Sequence, residues 1–306
     1  MITNEQLLEK YLTFIGDLAK NTRYHRQQAI LQYFSFLGDT NFLETTRINF
    51  AAFAKFKLEE KTDDGKSKCT RSSIKLYLLY VYFLYQFAYE EKLYPKDDLK
   101  LIKQKFSRFK VERGEQKKAL DLEQVQLLLE NCKNPTFKMA TWTLLNFGLR
   151  LSELINLKLS DIDLTKKELL VRQSKAYRSR IILILPSQIE PIKQWLRFRK
   201  TFLPLDSQDD SFLILKKTEA CPSGRWLQGL YLDISRILGF RVHAHRLRRT
   251  YASTMYFYHK MDIDVISYYL GHVNIQTTII YLGISVKQKH ERYLERMGDK
   301  AIYEAI

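Results

Sequence analysis

Helical spacing of apolar residues is the feature that most restricts the fold of this chain. In its N-terminal third, apolar side chains recur three or four positions apart, the repeat of one face of a helix. The predicted helices cover residues 4–19, 24–37, 49–60 and 70–92. A polar loop at 61–68 separates the last two, and no strand pattern interrupts them. We therefore predict an all-helical N-terminal domain, residues 1–106.

The second half of the chain mixes helical and strand patterns. Helices are predicted at 121–131 and 136–146, strands at 168–172 and 180–185, a third short strand at 211–215, and helices again from Gly224 onward. A basic turn joins the first two strands, which favours an antiparallel pair. The predicted fold class is therefore mainly α, with a mostly α C-terminal domain, residues 119–306, that carries a small antiparallel sheet.

Between these parts, residues 95–118 are rich in lysine and arginine and poor in apolar residues. We assign residues 107–118 to a basic inter-domain linker. Two interpretations of this segment remain open, a solvated linker and a linker that lies along a phosphate backbone.

Composition indicates the class of partner. The chain of 306 residues has 50 basic and 34 acidic residues and a formal net charge of +16, which favours a nucleic acid. Apolar residues make up 45%, too many for a globally disordered protein. The three cysteines are far apart, which fits a reducing compartment. With no signal-peptide pattern and no apolar stretch of membrane-spanning length, we expect a soluble cytoplasmic protein that does not associate with membranes.

Three separated motifs carry side chains suited to phosphate chemistry. The first runs from Gly148 to Leu154, the second from His245 to Tyr251, and the third from Leu270 to Tyr281. They contribute one phenol, two guanidiniums and two imidazoles, from Tyr281, Arg150, Arg248, His245 and His272. Together these groups suit one task, the opening of a phosphodiester by covalent attachment to the protein.

Each group has a physical reason to take part. Guanidiniums offer paired donors that match phosphate oxygens and stay charged at any working pH, so Arg150 and Arg248 are candidates to stabilise developing charge without a metal. Arg150 precedes the acidic first turn of a helix, where Glu153 supports it. His245 and Arg248 are three positions apart, so both project from one face of a helix. Leu247, Tyr251 and Thr254 then face inward as packing residues.

The third motif combines a corner and a nucleophile. Gly271 can end a helix in the left-handed conformation and so hold His272 rigidly, as a proton donor requires. A tyrosine with its ordinary pKa of about 10 attacks poorly at neutral pH. Tyr281 therefore needs a proton acceptor and nearby positive charge.

In order and spacing, the three motifs resemble the conserved boxes of the tyrosine recombinases, the phage integrase and Xer-like family. The resemblance covers residues 119–300 closely, and the N-terminal helices resemble the family's SAM-like core-binding domain more loosely. It implies a catalytic lysine in the hairpin between the first two boxes, which donates a proton to the leaving 5′-oxygen. Lys175 matches that position, although Ser174 and Ala176 stand where the family has glycines.

The resemblance also implies a reaction cycle without a cofactor. Tyr281 attacks a phosphate of double-stranded DNA, which gives a 3′-phosphotyrosine and a free 5′-hydroxyl, and a partner strand reverses the step. It further implies a C-shaped clamp around the duplex and a homotetramer on two DNA sites, for integration, excision or resolution of DNA elements. Apolar residues at the chain end suit docking on a neighbouring protomer, with folding back on its own domain as the alternative; these are Ile302, Tyr303 and Ile306.

Two other functions stay open at this point. A type IB topoisomerase-like or telomere-resolving enzyme would share the chemistry, but those families usually carry larger or different accessory regions. A catalytically silent DNA-binding regulator would share the fold, but the complete set of reactive side chains argues against it. The sequence contains no cluster of carboxylates that would indicate a metal site, so we expect the reaction to need no metal.

Overall fold

The computed structural model describes residues 2–65, 67–111, 118–172, 179–204, 207–215 and 220–283. The chain divides into two compact units, residues 1–115 and 116–306. Within the described ranges, no helix has both the length and the apolar character that a bilayer crossing requires.

Among the described residues of the N-terminal unit, every regular element longer than an isolated bridge is a helix. Its helices are α1 (Asn4–Phe14), α2 (Lys20–Leu37), α3 (Arg47–Glu59), α4 (Arg71–Glu90) and α5 (Lys96–Arg108). Threonine side chains cap three of the helix starts, because each hydroxyl accepts a hydrogen bond from a backbone N–H that has no partner inside the helix; they are Thr3, Thr46 and Thr70. The helical character predicted for this part is confirmed, although α2 begins at Lys20 and not at Tyr24.

Aromatic rings form the core of this unit, and buried hydroxyls connect them. The rings of Phe42 and Tyr85 lie 4.3 Å apart between centroids. The Tyr85 hydroxyl lies 2.7 Å from that of Tyr33 and 2.6 Å from that of Thr45. Burial raises the pKa of Tyr33 to about 12, so this phenol stays protonated and its role is structural.

Helix α5 differs from the sequence prediction, because it occupies much of the basic segment 95–118. Its buried Ile102 and the neighbouring Leu99, Phe106 and Phe109 repeat at three- and four-residue spacing and pack on the aromatic core. The Phe106 ring stacks on that of Tyr82, with centroids 5.9 Å apart. The lysines between these positions obscured the apolar stripe. Residues 112–117 of the assigned linker lie outside the described residues.

The C-terminal unit combines eight α-helices with one small sheet in its described residues. The helices are α6 (Leu122–Asn131), α7 (Pro135–Phe147), α8 (Leu151–Ile155), α9 (Pro186–Lys200), α10 (Gly224–Leu238), α11 (Ala244–Ser253), α12 (Ile263–Leu270) and α13 (Ile275–Leu282). The strands are β1 (Ile162–Asp163), β2 (Glu168–Val171) and β3 (Arg180–Leu183), antiparallel in the order β1-β2-β3. The predicted fold class, mainly α with a small antiparallel sheet, is confirmed.

The third strand predicted at 211–215 is wrong. The strand that completes the sheet is β1, which pairs Ile162 with Leu169 of β2. Residues 211–215 form only isolated bridges, through Ser211 to Lys158 and Leu215 to Ala220. Their apolar run, Phe212–Ile214, is buried at consecutive positions and fills the core, so it lacks the alternation of a strand at the edge of a sheet.

Helix α11 continues into a π-helical turn, Thr254–Tyr258. Such a turn inserts an extra residue into the helical repeat and rotates the following side chains. Leu247 and Tyr251 are buried as predicted, but Thr254 is exposed and Tyr256 takes the inward position. The inward packing predicted for Thr254 is therefore wrong.

Candidate active site

The first motif forms a sharp corner between two helices. Helix α7 ends at Gly148, which adopts φ +59° and ψ +26°. A Cβ atom at this glycine would lie 2.3 Å from Cδ1 of Tyr251, so the close packing of α11 also requires glycine. Arg150 follows as the residue that precedes α8, which confirms its predicted place at a helix start.

Glu153 is the anion around which the first motif is organised. Its carboxylate accepts hydrogen bonds from Arg150 Nη1 at 2.7 Å and the Arg150 backbone N at 2.8 Å. Two more come from Arg180, at 3.0 and 2.9 Å. Burial opposes ionisation of Glu153, but the hydrogen bonds and charge of Arg180, together with the bonds from Arg150, lower its pKa to about 2. The carboxylate is therefore ionised at neutral pH.

Three consecutive carbonyl groups at the end of α12 each receive a guanidinium. The pairs are Arg180 Nε to Tyr269 O at 2.8 Å, Arg248 Nη2 to Leu270 O, and Arg150 Nη2 to Gly271 O at 3.0 Å. The last carbonyls of a helix have no partner within it and carry the negative end of its dipole, so cations are favourable there. The end of α12 thereby gathers arginines from three parts of the chain.

Arg248 is the most deeply placed of these cations. It is 2% exposed and donates from Nη1 to the Gly148 carbonyl at 2.7 Å. Burial and the neighbouring Arg150 lower the pKa of Arg248 to about 10, which leaves it charged at neutral pH. The guanidinium thus supplies fixed positive charge beneath the site.

His272 stands at the corner after α12. Gly271 adopts φ +63° and ψ +45°, the left-handed ending that the sequence predicted. The backbone N of His272 donates to Ser267 O at 3.0 Å, and its Nδ1 lies 2.9 Å from the Thr278 hydroxyl. Burial, then the charges of Arg248 and Arg150, lower the pKa of His272 to about 4. The imidazole is therefore neutral at pH 7 and oriented from both sides.

Tyr281 lies on α13 between the two predicted imidazoles. Its ring centroid is 5.0 Å from that of His245 and 5.5 Å from that of His272, edge to face in both cases. The Tyr281 hydroxyl donates to the His245 carbonyl at 3.0 Å, and Arg249 Cζ lies 4.9 Å from the ring centroid. Burial raises the pKa of Tyr281, and the positive charges of Arg248 and Arg249 act in the opposite direction.

The structure brings together all but one of the predicted site residues. Arg150, Glu153, His245, Arg248, His272 and Tyr281 occupy one region of the C-terminal unit. Lys175 lies outside the described residues. The prediction gave no role to Arg180 or Thr278, which contact Glu153 and His272. The alternation of strand β3 could have indicated that Arg180 is buried, because Arg180 lies on the same buried face of the strand as Ile182.

Comparison with known proteins gives the family. Residues 118–288, more than half of the chain, match the phage integrase family. The chain is 30% identical over 177 residues to tyrosine recombinase XerA of Pyrococcus horikoshii, covering 57% of this chain and 59% of that protein. It is 33% identical over 180 residues to XerC of Caldanaerobacter subterraneus subsp. tengcongensis, covering 56% and 49%. The chain thus spans about half to three fifths of the length of these curated relatives.

Solved structures share the fold at low sequence identity. The Tn1549 transposon integrase in complex with a circular intermediate DNA has a TM-score of 0.80 at 17% identity, covering 97% of this chain and 100% of that one. A lambda integrase dimer bound to a core site has a TM-score of 0.72 at 16% identity, covering 100% and 81%. They show the shared fold, and the family match over more than half of the chain identifies it as a member of the phage integrase family.

Proposed function

We propose that this chain is a site-specific DNA recombinase that cuts and rejoins strands through a 3′-phosphotyrosine on Tyr281. The observation that carries the proposal is the position of the Tyr281 phenol, between two imidazoles and beside the arginine cluster at the end of α12. Proteins similar to this chain are named tyrosine recombinases, which supports the same reaction here.

The arginines stabilise the charge that develops on the phosphate. The Arg150 side chain is 41% exposed and retains N–H groups beyond its bonds to Glu153 and Gly271. It can therefore meet the non-bridging oxygens directly, as guanidiniums do. Arg248 adds positive charge from the buried side, and donors fixed before the reaction lose little energy in reorganising.

The nucleophile must leave its present hydrogen bond to react. A phenol proton donated to the His245 carbonyl cannot be passed to that carbonyl, so the hydroxyl has to turn toward a base and the phosphorus. The exposed His245 ring is placed to accept this proton. The new bond joins the Tyr281 oxygen to phosphorus, the bond from phosphorus to the 5′-oxygen breaks, and Lys175 supplies the proton to that oxygen.

His272 acts as a donor that is neutral before the substrate arrives. We assign the Thr278 hydroxyl as donor to Nδ1, which places the imidazole proton on Nε2, available to a phosphate oxygen. An incoming phosphate partly cancels the positive field of Arg248 and Arg150, so the pKa of His272 rises when DNA binds.

DNA and copies of this chain are the proposed partners. The net charge of +16 supports binding to the duplex. Similar structures are described as complexes with transposon end DNA, a lambda core site and a palindromic difH substrate. We propose a core-binding domain at 1–106, a linker at 107–118 and a catalytic domain at 119–306. The functional assembly is a cytoplasmic homotetramer on two DNA sites, joined by exchange of tails at 299–306.

One experiment separates the candidate functions. Bound sequences are first selected from a random duplex library with Tyr281→Phe, and a nicked duplex of the selected sequence then serves as a suicide substrate. The wild-type chain forms an SDS-resistant adduct, and Tyr281→Phe binds without forming one. Wild-type binding with no adduct identifies a silent regulator. Relaxation of supercoiled plasmid that does not depend on the selected site identifies a topoisomerase-like enzyme.

A further inference from the structure

We propose that Arg180 is a positioning residue, which holds Arg150 and the His272 corner in their reactive arrangement without touching the DNA. This inference rests on the proposed recombinase function. It assigns a role to the first residue of β3, outside the three motifs.

The surroundings of Arg180 explain why it acts through other residues. Its side chain is 3% exposed, and Nε, Nη1 and Nη2 all bind protein atoms, two of them the oxygens of Glu153 and the third the Tyr269 carbonyl. A guanidinium enclosed in this way cannot reach a phosphate. Arg150, bound to the same carboxylate, is 41% exposed and faces solvent.

Arg180 also decides how strongly Glu153 holds Arg150. Each oxygen of Glu153 accepts one bond from Arg180 and one from Arg150. With two guanidiniums on one carboxylate, this trio keeps a net positive charge of one, available to a phosphate. Without Arg180, Arg150 is the closest counter-ion of the buried carboxylate, with Arg248 Nη1 further away at 3.7 Å, and Glu153 draws the Arg150 guanidinium closer and compensates more of its charge.

The same side chain joins two parts of the site. Its Nε donates to the carbonyl of Tyr269, which lies three residues before His272. This bond attaches the start of β3 to the end of α12. Arg150 is attached to the adjacent corner through Gly271 O. Loss of Arg180 leaves both the Tyr269 carbonyl and the Glu153 carboxylate without its hydrogen bonds. Glu153 then holds Arg150 less rigidly, and the corner that orients His272 is less firmly fixed.

Arg180→Lys is the most informative variant, because it keeps the charge and loses the planar fork. One ammonium cannot reproduce the guanidinium fork that spans both oxygens of Glu153 and the Tyr269 carbonyl. The matched control is Arg199→Lys. Arg199 is similarly buried and binds the Asp209 carboxylate and the carbonyls of Asp209 and Ser211, away from the candidate active site.

Three readouts are compared for wild type and both variants: the thermal midpoint, the Kd for the selected duplex, and the single-turnover rate of adduct formation on the nicked duplex. We expect Arg180→Lys to slow adduct formation about 10²-fold, the usual effect of a small misplacement, with little change in Kd. Arg199→Lys should lower the thermal midpoint to a similar extent and leave the rate unchanged. An Arg180→Lys rate equal to wild type overturns the proposal.

A second variant guards against simple unfolding. If Arg180→Lys does not fold, Arg180→Gln is measured in the same way, and a folded variant with the wild-type rate again overturns the proposal. Failure of both to fold makes Arg180 a stabilising residue only and overturns it as well. A wild-type chain without adduct contradicts the recombinase function and this inference together, whereas normal wild-type adduct with an unaffected Arg180→Lys contradicts this inference alone.

Discussion

At the scale of single residues, the site is a set of cations arranged around one helix end and one carboxylate. Arg150, Arg180 and Arg248 bind the last carbonyls of α12, and Glu153 pairs with the first two. The sequence predicted the reactive members because their residue types and spacing form a recognisable set. The alternation along β3 could indicate that Arg180 is buried, but its contact with Glu153 could not be predicted, because only the fold brings the start of β3 to that carboxylate.

The neutral state of His272 leads to a prediction for its titration. A folded pKa of about 4, against 6.5 in the unfolded chain, means that the unfolded chain binds more protons between these values. The preference of the folded protein for the neutral imidazole therefore contributes to the free energy of unfolding above pH 6.5, and this contribution is lost as the pH falls toward 4. Histidine NMR of the free protein should show the low pKa for His272, and added duplex should raise it. A free-protein pKa near 6.5 would contradict the described surroundings.

The Thr278 hydroxyl should matter for the rate and little for the fold. Thr278 is buried, and its contact with His272 Nδ1 is 2.9 Å, so Thr278→Val removes one hydrogen bond with little change of shape. A neutral hydrogen bond contributes about 0.5–1.5 kcal/mol, and we expect adduct formation to slow about 2- to 10-fold. Thr277→Val at the exposed neighbouring position is the control. Equal rates for the two variants would show that the Thr278 hydroxyl does not contribute to the reaction.

At the scale of elements, turns and helix ends place the reactive groups. The left-handed endings at Gly148 and Gly271 were accessible from the sequence, because glycine after a helical stretch is a strong stop signal. The π-helical turn after α11 was not, since it arises from packing and has no composition of its own. Helix α5 was missed because charge content concealed its apolar repeat, and β1 because two residues carry no period.

Gly148 gives the clearest prediction for an element. Gly148→Ala combines a left-handed backbone with a contact of 2.3 Å to Tyr251 Cδ1, and we expect a loss of about 2–4 kcal/mol in the free energy of unfolding. Gly239→Ala is the control. That glycine has φ +73° and open space around its missing Cβ, so the loss should be only about 1–2 kcal/mol. Urea unfolding measures both, and equal losses would show that α11 does not pack tightly on this corner.

At the scale of the whole molecule, charge governs the encounter with DNA. The net charge of +16 favours Lys and Arg contacts with phosphates, and each phosphate so neutralised releases counter-ions from the duplex. The logarithm of the affinity should therefore fall linearly with the logarithm of the salt concentration. For about six phosphate contacts, the loss between 50 and 200 mM monovalent salt is about 10³-fold. Fluorescence anisotropy with a labelled duplex measures it, and Tyr281→Phe serves as a non-reacting control with the same slope. Affinity that does not change with salt would contradict a grip on phosphates.

The proposed reaction links one phenol among the 19 tyrosines of this chain to DNA. Its most direct test is to digest the denatured adduct with nuclease and protease and to locate the remaining nucleotide by tandem mass spectrometry. We expect a 3′-linked nucleotide on the peptide that contains Tyr281. A nucleotide on any other residue, or a linkage through the 5′ end, would contradict it.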